Sequence, residues 1–209
     1  MTRKEFDAQV EEVRHLLREM GDTVCKMTLD AVEGAVGDDP ELLDQVAAQD
    51  LEVDALESRI MEQVFRLIVL QAPVASDARL LTSTISIVGE LEQAGDDAVK
   101  LARRAKKIGG NFRDDLRAPL GALAESVVQM ISDAVELYED YNEERAIAIV
   151  QADEMIDSAY KKARKRIMEL ANEDSAMREM FRTIEIFHAL EHVADHAVEI
   201  AKRLQVFHR

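Results

Sequence analysis

From Phe6 to Ala31 the chain carries an apolar stripe that never leaves helical spacing, and this restricts its fold more than any other feature. Phe6, Val10, Val13, Leu17, Met20, Val24, Met27 and Ala31 recur every three or four positions, the period that gathers side chains on one helix face. Gly37-Asp38-Asp39-Pro40 ends the stripe. Asp39 ahead of Pro40 is an N-cap followed by a first-turn proline, so a second helix starts there. Its stripe of Leu42, Val46, Val53, Leu56, Ile60, Val64 and Leu67 runs to Gln71-Ala72-Pro73, and a third helix follows from about 76 to 108. Gly109-Gly110-Asn111-Phe112-Arg113-Asp114-Asp115 is the strongest turn signal in the chain. Pro119 reads as the next helix start, with three further helices over about 119–141, 143–172 and 174–207. Three Pro, eight Gly and no Trp in 209 residues leave too few turn formers for an all-β fold and count against a parallel α/β sheet. The expectation is an all-α protein of six long helices, packed nearly antiparallel through short loops.

The central break invites comparison of the halves. Met27 and Met130, Asp30 and Asp133, Ala31 and Ala134, Asp50 and Asp153, and Asp54 and Asp157 match at an offset of 103. Glu92 and Glu191, Asp96 and Asp195, and Ala98 and Ala197 match at an offset of 99. The chain therefore reads as a duplicated three-helix unit, two tandem pseudo-symmetric three-helix bundles divided as 1–110 and 111–209.

The repeated residues are chemically specific. Glu92 and Asp96 lie at i and i+4 on the third helix, one turn apart on one face, and Glu191 and Asp195 do the same on the sixth. Asp50 and Asp54 on the second helix recur as Asp153 and Asp157 on the fifth. Like charges at this spacing destabilise a helix, and two such pairs together repel further. A hard cation bound through carboxylate oxygens would offset the repulsion, with magnesium, manganese or iron ahead of soft-ligand metals. The alternative is a solvated acidic face neutralised by Arg and Lys.

Charge narrows the partners. With 26 basic and 42 acidic residues the net charge is −16, a field that repels phosphate backbones and argues against nucleic acid. The basic runs Arg103, Arg104, Lys106, Lys107 and Lys161, Lys162, Arg164, Lys165, Arg166 read as solvated helix faces or charges complementing helix C-termini. Cys25, the single cysteine, reads as a small core residue in a reducing compartment. The first residues lack a signal-peptide core, and no apolar stretch approaches a membrane span of about 20 residues. A cytoplasmic protein without direct membrane insertion is expected.

Gln71-Ala72-Pro73-Val74-Ala75-Ser76-Asp77-Ala78-Arg79, the Glu92 to Asp96 segment and its second copy Glu191-His192-Val193-Ala194-Asp195-His196-Ala197 resemble the PhoU family of phosphate-transport regulators. The resemblance covers nearly the whole chain. It implies two similar three-helix bundles, multinuclear iron or other metal on the carboxylates of each, and a homodimer. It also implies an adaptor role between the ATPase of the phosphate ABC transporter and its phosphate-sensing histidine kinase, restraining the phosphate-starvation response. The family motif reads Glu-Arg-Ile-Gly-Asp, whereas this chain has Gln93 and His192 at the arginine position and Ala194 at the second glycine. Asp77-Ala78-Arg79 replaces Asp-Leu-Arg. Losing two arginines beside the carboxylates raises the need for a cation.

Two other readings compete. Glu12 with His15 and Glu185 with His188 are E-x-x-H pairs, the spacing of ferritin-like di-iron oxidases, but they fall at non-equivalent positions of the repeat. A metal-free helical adaptor is the third reading. His188, His192 and His196 at i, i+4 and i+8 read first as polar surface, with His188 as an additional ligand the second reading. No nucleophile with an adjacent base, Gly-rich phosphate loop or zinc spacing of Cys and His is present, so an enzyme is not expected.

Overall fold

The computed structural model describes residues 3–71, 74–171 and 177–208. Among them the chain forms six α-helices: α1 (Arg3–Gly37), α2 (Pro40–Gln71), α3 (Ala75–Ile108), α4 (Asp114–Glu139), α5 (Glu143–Ala171) and α6 (Met177–Phe207). Ala72, Pro73 and the expected start of the last helix at 174 lie outside the described residues. The Asp39 cap is as expected: its Oδ1 accepts the N–H groups of Glu41 and Leu42, both at 3.0 Å. Asn142 plays the same part for α5, accepting the Arg145 N–H at 2.9 Å.

One expected boundary is corrected. Helix α4 starts at Asp114, five residues before Pro119, which sits inside the helix. Asp114 and Asp115 supply first-turn acids that suit the helix dipole, and Leu116 is buried, so the helix is favoured upstream of the proline. Pro119 forfeits one early backbone bond, and its fixed φ is already helical.

Burial explains the layering. On α2 only a narrow stripe is covered, Leu43, Val46, Val53, Leu56, Ile60, Val64 and Leu67, while α3 buries residues over a wide arc from Leu81 to Ile108. A narrow stripe can serve few neighbours, and among the described residues α2 packs to any extent only on α1 and α3, as α5 packs on α4 and α6. Helices α3 and α6 make the most extensive pairing in the molecule, and α1 meets α4 beside it. Two three-helix bundles are thus welded along an α1–α3/α4–α6 seam into one continuous core.

The seam has the contact pattern of a two-fold axis, in which residue i meets j and j's equivalent meets i's. Cys25 and Val128 are equivalent in the two copies, and the Cys25 thiol faces the Val128 carbonyl at 3.7 Å. Asp97 and His196 are equivalent and face each other at 3.3 Å. Arg203 donates to Ser86 at 2.8 Å, and the equivalent pair, Arg104 and Glu185, makes an ion pair at 3.2 Å. Thr84 and Tyr138, both buried, share a hydrogen bond of 2.7 Å between α3 and α4.

Crossing from the first bundle to the second, the chain turns through Gly109 and Gly110 at φ 51° and 68°, conformations in which glycine meets no steric penalty. The Gly110 N–H donates to Asp38, itself at φ 54° in the α1–α2 turn. Arg182 of α6 donates to the Lys107 carbonyl at 2.6 Å.

Candidate metal sites

Each candidate site is built from one outer and one inner helix. On α2, Asp50 is half-buried and Asp54 exposed; on α3, Glu92 is half-buried and Asp96 exposed. Burial pushes the Asp50 carboxyl above its usual range, and the Asp54 and Asp96 charges push it further while Arg103 opposes them. Glu92 is raised by burial and then by Asp96, Glu57, Asp54 and Asp50. The four expected residues therefore form one mutually repelling group, joined by Glu57. Sequence reasoning missed Glu57, although its i+7 spacing from Asp50 places it on the same face.

The second group repeats the first. Asp153 is raised by burial and by Asp195 and Asp157, with Lys202 opposing. Glu191 is raised by burial and Asp195, with His192 opposing and Asp157 and Asp153 adding to the rise. Lys202 is the repeat equivalent of Arg103, so each group keeps one cation at the same place. Asp157 already has a partner in Lys161 at 2.6 Å. The four residues of each group stay spread: no three carboxylates among the described residues bring an oxygen each within 4.8 Å of one another.

The donor set fits a hard cation in one specific respect. Among the described residues the Asp153 Oδ1 is buried and meets no hydrogen-bond donor, a state that costs about 1–3 kcal/mol unless a positive group compensates it. Beneath the first group, a Cβ added at Gly95 would lie 3.6 Å from Asp50 Oδ1 and Val53 and 3.7 Å from Met27. Those are ordinary contacts, which is why the second copy carries Ala194 there without disturbance.

The structure also gathers a group the repeat does not predict. His188 Nε2 lies 3.1 Å from His192 Nε2 and 3.6 Å from Glu191 Oε2. Burial holds the His188 imidazole below its ordinary value, and His192 adds to the effect. The two E-x-x-H pairs do not share a site: His15 lines a depression with Arg18, Asp22 and Lys26, and His188 lines another with Asp97 and Lys100.

Comparison with known proteins decides the family. The PhoU domain model matches residues 17–105 and again 120–204. The chain belongs to the PhoU family. It is 31% identical to a phosphate-specific transport system accessory protein PhoU homolog of Pseudomonas putida, over 95% of this chain and 78% of that one. A PhoU homolog of Clostridium acetobutylicum is 28% identical over 97% of this chain and 93% of its own. The crystal structure of PhoU from Pseudomonas aeruginosa superposes with a TM-score of 0.90 at 30% identity, over 98% of this chain and 99% of that one. The PhoU match falls on both repeats and contains all eight expected carboxylates. No helix among the described residues is long and apolar enough to cross a membrane.

Proposed function

We propose that this protein is an accessory regulator of phosphate uptake and of the phosphate-starvation response. It acts in the cytoplasm as an adaptor between the ATPase of a phosphate ABC transporter and a phosphate-sensing histidine kinase, by binding and without catalysis, and as a homodimer. The match of the PhoU model to both repeats carries this reading, together with relatives named for phosphate-specific transport over nearly the whole chain. Deletion of the gene in a strain bearing a phosphate-starvation reporter tests it. Expression should rise in phosphate-rich medium, and an unchanged reporter sinks the assignment.

The carboxylate groups give the adaptor its metal. Asp50, Asp54, Glu92 and Asp96 would hold iron, manganese or magnesium in the first bundle, and Asp153, Asp157, Glu191 and Asp195 in the second. The mutual repulsion within each group and the unpartnered Asp153 oxygen support it. A bound cation would supply charge neutralisation there, fixing α2 to α3 and α5 to α6. Asp96→Ala should empty the first bundle and Asp195→Ala the second, each leaving the other occupied when metal is counted after purification without chelator. Equal metal content in wild type and both variants defeats the reading.

A further inference from the structure

We infer that the second bundle carries a transition-metal site that the first lacks, in which His188 and His192 bind one zinc-class divalent ion through imidazole nitrogens and Glu191 through a carboxylate oxygen. Among the described residues, this is the group whose three ligand atoms all fall within 4.8 Å of one another. Histidines at i and i+4 stand one turn apart on a helix face, a spacing that lets two imidazoles chelate one ion. With zinc–nitrogen bonds of about 2.0–2.1 Å, two nitrogens on a tetrahedral ion sit roughly 3.3 Å apart. The observed 3.1 Å between the His188 and His192 Nε2 atoms is already close to that value. The rings are held edge to face, with centroids 4.3 Å apart, and Tyr160 of α5 packs against His188 at 5.6 Å.

Comparison of the repeats shows why the site belongs to one half. At the offsets that align the copies, His188, His192 and Tyr160 correspond to Gly89, Gln93 and Glu57, while Glu191 corresponds to Glu92. The first group has only oxygens to offer, and the second exchanges one carboxylate for a tyrosine and gains two imidazoles. Oxygen donors suit magnesium, manganese and calcium; imidazole donors suit zinc, cobalt, nickel and copper. The site opens into a depression of about 400 Å³ along the α3–α6 seam, lined also by Gln93, Asp97, Lys100 and Arg104. The nearby cations are already paired, Lys100 with Asp97 at 2.7 Å and Arg104 with Glu185. A cation at the imidazoles therefore does not meet unopposed positive charge. This inference shares Glu191 with the proposed carboxylate site but does not rest on the phosphate role.

Cobalt(II) and zinc(II) alone, added to the chelator-stripped full chain, test it. Cobalt should give one equivalent of nitrogen-ligated ion by its visible absorption, apart from any held by the carboxylates, and zinc should displace it. His188→Ala and His192→Gln should each weaken zinc at least tenfold; the His188 side chain is 50% exposed, so the stripped variants should melt close to wild type. A Cβ at Gly89 meets nothing within 4 Å, so Gly89→His combined with Gln93→His should raise the count to two equivalents. Zinc affinity unchanged by His188→Ala and His192→Gln, or no nitrogen-ligated cobalt in wild type, overturns the site. Manganese binding halved in Asp96→Ala while zinc binding persists separates this inference from the carboxylate reading, so that either can fail alone.

Discussion

His196 of α6 and Asp97 of α3 are the same position in the two copies of the repeat, and they face each other across the seam with 3.3 Å between Nε2 and Oδ2. A residue on a two-fold axis meets its own equivalent, so two identical aspartates here would repel. The histidine makes the pair complementary, and its Nδ1 also reaches Glu90 at 2.8 Å. Glu90 is held in turn by Arg203 at 2.6 Å.

Replacing His196 should therefore weaken the seam in a pH-dependent way. Burial alone would lower the His196 value, but hydrogen bonds to Asp97 and Glu90 outweigh it and raise it above 6.5. Its stabilisation is then complete below 6.5 and lost as pH rises through the raised folded value. For Asp97, burial is outweighed by hydrogen bonds from His196 and Lys100, so its value falls below 3.8. Its contribution is present above 3.8 and lost as pH falls through the depressed value. His196→Ala should cost about 1.5–3 kcal/mol near pH 5, and His196→Asp more. Urea unfolding at pH 5 and pH 9 checks this, since a gap between wild type and variant that does not shrink at pH 9 contradicts it.

Removing one like charge from the first carboxylate group should stabilise the metal-free protein. Asp50→Asn is expected to raise stability in chelator by a few tenths of a kcal/mol. Manganese should reverse the order, since an ion at 100 times its Kd stabilises wild type by about 2.7 kcal/mol. Melting curves with and without metal decide the matter, and a variant less stable than wild type in chelator counts against it.

Burial, helped by Asp22, pushes the Cys25 thiol up to about 12. It stays protonated at neutral pH and is a poor nucleophile. Native protein at pH 7.5 should resist iodoacetamide, whereas urea-unfolded protein should label readily. Equal rates in the two states would show that the α1–α4 contact opens freely.

Two glycines should respond oppositely to alanine. A Cβ at Gly34 would come within 2.8 Å of Leu43 and 3.2 Å of the Asp39 carbonyl, whereas one at Gly89 meets nothing within 4 Å. Gly34→Ala is expected to lose about 1–3 kcal/mol to overpacking, minus roughly 1 kcal/mol of helix propensity. Gly89→Ala keeps the propensity gain alone. Thermal unfolding of both variants tests the pair, which fails if Gly34→Ala is the more stable.

The helices were legible because their stripes are long and their breaks are marked by Gly37 to Pro40 and by Gly109 and Gly110. Where α4 begins was not, because Pro119 is a strong local mark that the buried Leu116 upstream overrides through tertiary packing. The carboxylate pairs were legible as i, i+4 repeats. Glu57 was not, because its repeat equivalent is Tyr160 and duplication pointed away from it. The His188–His192 pair was visible as a helical row, but whether the rings converge depends on rotamers and on Tyr160 from another helix. Contacts such as Arg203 with Ser86 join residues 117 positions apart, and no local pattern reports them.

The crossover at Gly109 and Gly110 is pinned by a residue from each repeat, Asp38 from the first and Arg182 from the second. A linker fastened in this way cannot serve as a free pivot. The two bundles would have to shear along their shared seam, not swing apart, for one to respond to the other. Because α3 and α6 form the most extensive helix pairing among the described residues, a displacement of α3 in one bundle would have to repack against α6 of the other.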